Sequence, residues 1–196
     1  GTRKNGLWKS IDYGATWSQV ASFPVTTTPN GVGLNFVQFI KNSGTPGSAT
    51  PTIYAGLSQT GNNLYRSTDA GATWQAVSNP GLSSDHMPLR NALDSIGNMY
   101  ITYSNGSGPS NAGNSNGTFN GALWKLNLSS GAWTNLTPVT NSQGGLSGIS
   151  VDAQNAVFTT SRKCQTVSSE LQKWKTGGFS LADKWCVVRN NIWKAN

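Results

Sequence analysis

The chain repeats itself. Gly6-Leu7-Trp8-Lys9-Ser10-Ile11-Asp12-Tyr13-Gly14-Ala15-Thr16-Trp17 returns 57 residues later as Asn63-Leu64-Tyr65-Arg66-Ser67-Thr68-Asp69-Ala70-Gly71-Ala72-Thr73-Trp74. A worn third copy, Ala122-Leu123-Trp124-Lys125-Leu126-Asn127-Leu128, keeps the opening and a closing Trp133, with Leu128 where the Asp would stand. Self-similarity at such a period means stacked supersecondary units, each needing neighbours to cover its apolar faces.

The shared core reads S-x-D-x-G-x-T-W, the Asp box, and its chemistry is local. A strand ends at Ser10 and the chain reverses toward Trp17. The Asp12 carboxylate suits the backbone N–H groups of such a turn, Gly14 supplies a backbone conformation other residues avoid, and Trp17 covers the turn. Ser10, Asp12, Gly14, Thr16 and Trp17, with Ser67, Asp69, Gly71, Thr73 and Trp74, are therefore structural. Asp12 and Asp69 close hairpins and are not catalytic acids. Trp8, Trp124 and Trp133 occupy equivalent positions and read as packing residues.

Other apolar runs fall into register around these hairpins: 36–39, 52–57, 89–93, 98–104, 146–151 and 156–160. Each unit reads as four antiparallel strands, the last two joined by the Asp box. Repeated four-stranded units make the blades of a β-propeller. The expectation is an all-β fold in which residues 1–161 form about three blades: half of one over 1–24, two whole ones over 33–80 and 84–140, and the start of a fourth from 146. Propellers close with four to eight blades, so this is an incomplete propeller.

Composition agrees. Gly is abundant at 23 residues, charged residues are only 11%, and no long amphipathic helical pattern occurs. No apolar run reaches bilayer-spanning length, which argues against a membrane partner. The chain opens at Gly1 without Met or export signal and reads as a piece of something larger. The net charge of +7 is uneven: +2 over 1–161 and +5 over 162–196. A near-neutral body argues against nucleic acid as a partner. Cys164 and Cys186 both lie in the basic tail, and nothing in the sequence decides whether they pair. Asn105, Asn116, Asn127 and Asn135 each open an N-x-[ST] sequon and are glycosylation candidates, which favours a secreted, extracellular protein.

Beyond the boxes, the flanking residues are specific. The opening Gly1-Thr2-Arg3-Lys4-Asn5-Gly6-Leu7-Trp8-Lys9-Ser10, Thr52-Ile53-Tyr54-Ala55-Gly56 before the second box, and Met99-Tyr100-Ile101-Thr102-Tyr103 resemble the xyloglucanases of glycoside hydrolase family 74 and the related reducing-end-specific cellobiohydrolases. So do Gly131-Ala132-Trp133-Thr134-Asn135-Leu136-Thr137-Pro138-Val139 and Gly148-Ile149-Ser150-Val151-Asp152. The likeness covers about residues 1–160. It implies a polysaccharide partner, xyloglucan or a related glucan, bound in a cleft between two seven-bladed propellers. It also implies inverting hydrolysis by an Asp acid and an Asp base, set apart to admit a water. Family members carry those residues in Asp-Ile-Gly-Gly-type segments. None occurs here, so no catalytic residue is assigned and the fragment resembles middle blades of the first propeller. No metal site or cofactor is expected.

Loops alternate between the two ends of a blade. The resemblance puts the cleft at the end away from the Asp boxes, where Arg3, Gln59, Asn62, Asp85, His86 and Tyr103 are candidates for substrate binding. Tyr103 reads equally as core. Two other functions compete: a non-catalytic Asp-box module binding glycan or protein, and a sialidase-like enzyme. The latter needs an arginine triad, for which the body offers only Arg3, Arg66 and Arg90.

Residues 162–196 depart from the family pattern, lacking the next Asp box, where basicity also jumps. A frameshift, a retained intron or a misplaced gene end accounts for both. Sequencing the transcript across codon 161 should show a broken frame; a clean continuous frame contradicts this reading.

Overall fold

The computed structural model describes residues 5–27, 33–105, 121–137 and 146–161. Arg3, Asn116, Cys164, Cys186 and the basic tail lie outside them.

Twelve strands form four antiparallel sheets, with one short 3₁₀ turn at Lys41–Ser43 as the helical element among the described residues. β1 (Trp8–Lys9) pairs with β2 (Ser18–Gln19). β3 (Leu34–Phe39), β4 (Ile53–Leu57), β5 (Leu64–Ser67) and β6 (Gln75–Ala76) form a four-stranded meander. β7 (Met87–Leu93), β8 (Asn98–Ser104), β9 (Gly121–Asn127) and β10 (Trp133–Asn135) form a second. β11 (Leu146–Val151) and β12 (Val157–Ser161) make the last pair. These are the sheets of propeller blades in series.

Strand alternation builds the interfaces. Successive side chains on a strand point to opposite faces, so a strand covered on both sides reads as nearly continuous apolar sequence. In β8, Met99, Ile101 and Tyr103 face the β3–β6 sheet, joining Tyr54, Leu64, Trp124 and Leu126 in one core. Tyr100, between them, joins Leu123, Leu146 and Val157 in the next. In β4 and β5, Ala55, Leu57 and Tyr65 pack instead with Leu7 and Phe23 of the first sheet. Each fully buried side chain of this size contributes about 1.5–3 kcal/mol relative to exposure.

Outgoing segments lock one sheet to the next. After β2, Phe23 meets Trp74 edge-on with centroids 5.0 Å apart, and Ser22 Oγ donates to the Gly71 carbonyl at 2.6 Å. After β6, Trp133 Nε1 donates to the Ser78 carbonyl at 3.0 Å, while Trp133 and Trp124 pack edge-on at 6.5 Å. Trp74, Trp124 and Trp133 thus pack in the cores, while Trp8 Nε1 donates to the nearby Asn5 carbonyl at 2.9 Å. Trp17 differs: its Nε1 reaches the Gly14 carbonyl at 3.1 Å, yet the ring is 60% exposed.

Both Asp boxes close by the same bonds. Ser67 Oγ donates to Asp69 Oδ1 at 2.8 Å and accepts from Gly71 N at 2.8 Å. Thr73 N donates to Asp69 Oδ1 at 2.8 Å, and Thr73 Oγ1 to Oδ2 at 2.6 Å. Ser10, Asp12, Gly14 and Thr16 repeat this set. The turn uses two left-handed residues, not one: Tyr13 and Ala70 have φ 56°, beside Gly14 at 92° and Gly71 at 90°. The worn third hairpin is closed by Asn127, whose Oδ1 accepts from Ser129 N, Ser130 N and Ser130 Oγ at 2.9–3.1 Å.

Bonds from Thr16 and Thr73, first side chain and then backbone, followed by Ser10 and Ser67, hold the two carboxyls at about 2, against 3.8 for an ordinary Asp. The fold therefore favours the ionised forms. Their contribution is present above the unfolded value and is lost as pH falls from about 4 through about 2. Thermal melts should show a falling midpoint over that window, and the Asp12→Asn/Asp69→Asn variant should melt lower at neutral pH with a flatter acid profile. Core spacing gives a second expectation. A Cβ on Gly56 would run into the Phe36 ring, so Gly56→Ala should cost about 1–3 kcal/mol in urea unfolding.

Candidate functional site

The two ends of the sheets differ in chemistry. One end carries the Asp boxes and the β7–β8 and β11–β12 turns, and there the carboxylates are consumed. Asp94 Oδ1 accepts from Ile96 N and Asn98 N, while Oδ2 accepts from Asn98 Nδ2 and Tyr100 Oη. Burial opposes ionisation of Asp94 as the largest single influence, but these four bonds together leave its carboxyl below the ordinary value. Asp152 Oδ1 accepts from Gln154 N and Ala156 N. With Asp12 and Asp69, four of the five described carboxylates serve turns at this end.

Asp85 is the fifth, at the opposite end. There the β4–β5 loop (58–63) meets the segment entering β7 (83–86). Asn63 is buried at 7% exposure, and its Nδ2 donates both to the His86 carbonyl at 2.7 Å and to the Gln59 carbonyl at 3.2 Å. Gly61 N reaches the Ser84 carbonyl at 3.4 Å. One side chain thereby clamps the two loops that carry the candidates. Gln59 Nε2 donates to the Asn62 carbonyl.

Next to the clamp sits a relay. Ser83 Oγ donates to Asp85 Oδ1 at 2.6 Å, and the same oxygen lies 2.8 Å from His86 Nδ1. The Ser83 bond is the main influence lowering the Asp85 carboxyl; partial burial opposes it and His86 assists it. An ionised carboxylate only accepts, so Nδ1 carries the proton in this pair. The His86 side chain is 11% exposed and that of Asp85 56%.

The structure thus brings Gln59, Asn62, Asp85 and His86 together. Tyr103 leaves the set: at 1% exposure its ring lies in the core with Met99 and Ile101, and no sugar reaches its face. Burial pushes its hydroxyl well above the usual tyrosine range. Arg66 and Arg90 do not build a carboxylate-binding cluster. The Arg66 guanidinium lies 5.9 Å from the Tyr54 ring centroid, and Arg90 Nη1 donates to the Leu89 carbonyl. The Asn127 carboxamide is spent on its turn, its Nδ2 donating to Asn98 Oδ1 at 3.2 Å. Asn135 is exposed, its Oδ1 accepting from Thr137 N and Oγ1.

A cavity of about 610 Å³ opens at the other end, among Phe39–Ser43, Leu93–Gly97 and Asn127–Ser129. Its size suits a ligand. Its carboxylate is the fully committed Asp94, however, and its other polar groups include Gln38, whose Nε2 bonds the Phe39 carbonyl, and Ser43, whose Oγ bonds that of Ile40. The clamped loops around His86 are the better candidate.

No family model matches the chain. Among curated proteins, a xyloglucanase of a Paenibacillus species is 48% identical over 164 residues, covering 76% of this chain and 15% of that protein. Xyloglucanase Xgh74A of Acetivibrio thermocellus is 38% identical over 94% of this chain and 23% of its own length. Among solved structures, the family-74 enzyme of Niastella koreensis superposes with TM-score 0.70 at 41% identity, covering 82% of this chain and 22% of that one. The family-74 xyloglucanase of Xanthomonas campestris gives 0.69 at 30% identity, over 84% and 25%. The chain spans between about a seventh and a quarter of the length of these relatives.

The clamp is testable without a ligand. Asn63→Ala leaves the buried His86 carbonyl and the half-buried Gln59 carbonyl without their donor, which should cost about 1–3 kcal/mol in urea unfolding. It should also speed proteolytic cutting within 58–63, with cutting near Asp94–Gly97 unchanged.

Proposed function

We propose, from the premise that this chain is homologous to a segment of the family-74 xyloglucanases, that it is part of a secreted glycoside hydrolase acting on xyloglucan or a related β-1,4-glucan. It supplies blades to the polysaccharide-binding face and draws its catalytic acid and base from elsewhere in the parent enzyme. One observation carries this reading: the end bearing Gln59, Asn62, Asp85 and His86 is clamped and polar, yet holds a single described carboxylate. Inverting hydrolysis needs two, about 6.5–9.5 Å apart. The identities to xyloglucanases support the substrate class. On this reading residues 1–161 are about three blades of the first propeller, and Arg3 joins the four clamped candidates on the ligand face. The remaining blades of the parent are its structural partners. Secretion accords with the polymeric substrate and with the exposed sequon at Asn135. No described helix is long and apolar enough to cross a membrane.

A non-catalytic module and a sialidase-like enzyme are the weaker readings, the latter because the exposed Asp85 carboxylate repels an acidic sugar. Incubation of the purified chain with tamarind xyloglucan, followed by pull-down and product analysis, separates the cases. Retention of the polymer without released oligosaccharide is the expected result. Release of oligosaccharide would place a catalytic pair within these residues, and absence of retention would sink the binding role.

A further inference from the structure

We infer that the Ser83–Asp85–His86 relay is a built hydroxyl-recognition site, in which His86 Nε2 accepts a hydrogen bond from a neutral sugar and Asn63 anchors the His86 backbone. The inference rests on the reading that the end bearing 58–63 and 83–86 is the ligand face. It assigns the site a chemistry and adds two positioning residues, Asn63 and Ser83.

The geometry fixes the polarity of each atom. Asp85 Oδ1 receives Ser83 Oγ at 2.6 Å and faces Nδ1 at 2.8 Å, so Nδ1 is the protonated nitrogen. A neutral imidazole carries one N–H, which leaves a lone pair on Nε2. Among the described residues no group bonds Nε2. The ring is bonded by Asp85 at Nδ1, and the backbone that carries it is fixed by Asn63 at the His86 carbonyl and by the Ser83 carbonyl at the His86 N–H, 3.0 Å away. A mostly buried ring anchored at Nδ1 on a fixed backbone loses little entropy when a ligand arrives at its other nitrogen.

The surroundings choose the ligand. Asp85 remains 56% exposed beside the ring, so two acceptors stand together and a carboxylate or phosphate ligand would meet like charge. A molecule rich in O–H donors and without charge, such as a β-glucan chain, fits both groups.

His86 is the sole histidine of the chain, so its imidazole nitrogens give one unambiguous pair of NMR signals. Long-range ¹H–¹⁵N spectra of the purified chain, taken with the imidazole neutral, should show protonated Nδ1 and bare Nε2. Saturating tamarind xyloglucan oligosaccharides should move the Nε2 signal and leave Nδ1 nearly still. Asp85→Asn should abolish the tautomer preference and weaken the titration about three- to tenfold, the loss expected for one oriented hydrogen bond.

Protonated Nε2 in the free chain, or an Nε2 signal unmoved while amides of 59–62 shift, overturns the inference and leaves the ligand face standing. Shifts confined to Asp94–Gly97 and its neighbours, or none anywhere, overturn the ligand face as well.

Discussion

The central strands of the two described four-stranded sheets are covered on both faces, and the rest follows from that constraint. β8 sends Met99, Ile101 and Tyr103 into one interface and Tyr100 into the next. The sheet is therefore not a unit that folds and then docks. Its two faces are the walls of two different cores, and either core alone leaves half the strand's apolar surface in water. That is why the outgoing loops matter. Phe23 against Trp74, and Ser78 against Trp133, join a sheet to its neighbour at the point where the chain crosses over.

The Asp boxes solve a different problem. A hairpin at the outer edge has little core to hold it, so its stability must be local. Each box gathers a serine, an aspartate and a threonine into one closed set of bonds. The consequence for function is spatial. Turns at the box end consume Asp12, Asp69, Asp94 and Asp152, so four of the five described carboxylates are committed to the fold. At the opposite end Asp85 stays exposed beside a mostly buried His86. On the proposed reading, fold maintenance and ligand recognition are divided between the two ends of the same strands.

Much of this was legible in the sequence because the bonds involved are short-range. The spacing from Ser67 to Thr73 encodes its own hydrogen-bond set, and alternating apolar runs at 98–104 and 146–151 announce strands. Other features depend on contacts across distant sequence. Asn63 bonds a carbonyl 23 residues away, and nothing local marks it as a clamp. Asn127 replaces the missing box aspartate from one position upstream, a substitution visible only once the turn is built. The left-handed Tyr13 and Ala70 escape a reading that expects glycine alone to take that conformation. Tyr103 was open to two readings, as core or as sugar platform, because strand alternation fixes a face but not the depth of burial. The ligand face itself came from family resemblance, and the structure added the clamp and the relay.

The central claim is that one end of these blades turns toward a glucan and the other only holds the fold. Hydrogen–deuterium exchange of the chain, with and without xyloglucan, tests it most directly. The account predicts slower exchange on binding in 58–63 and 83–86, with unchanged rates in the Asp-box turns 10–17 and 67–74 and in 93–97. Protection concentrated in 38–43, 93–97 and 127–129, around the cavity at the other end, would contradict it.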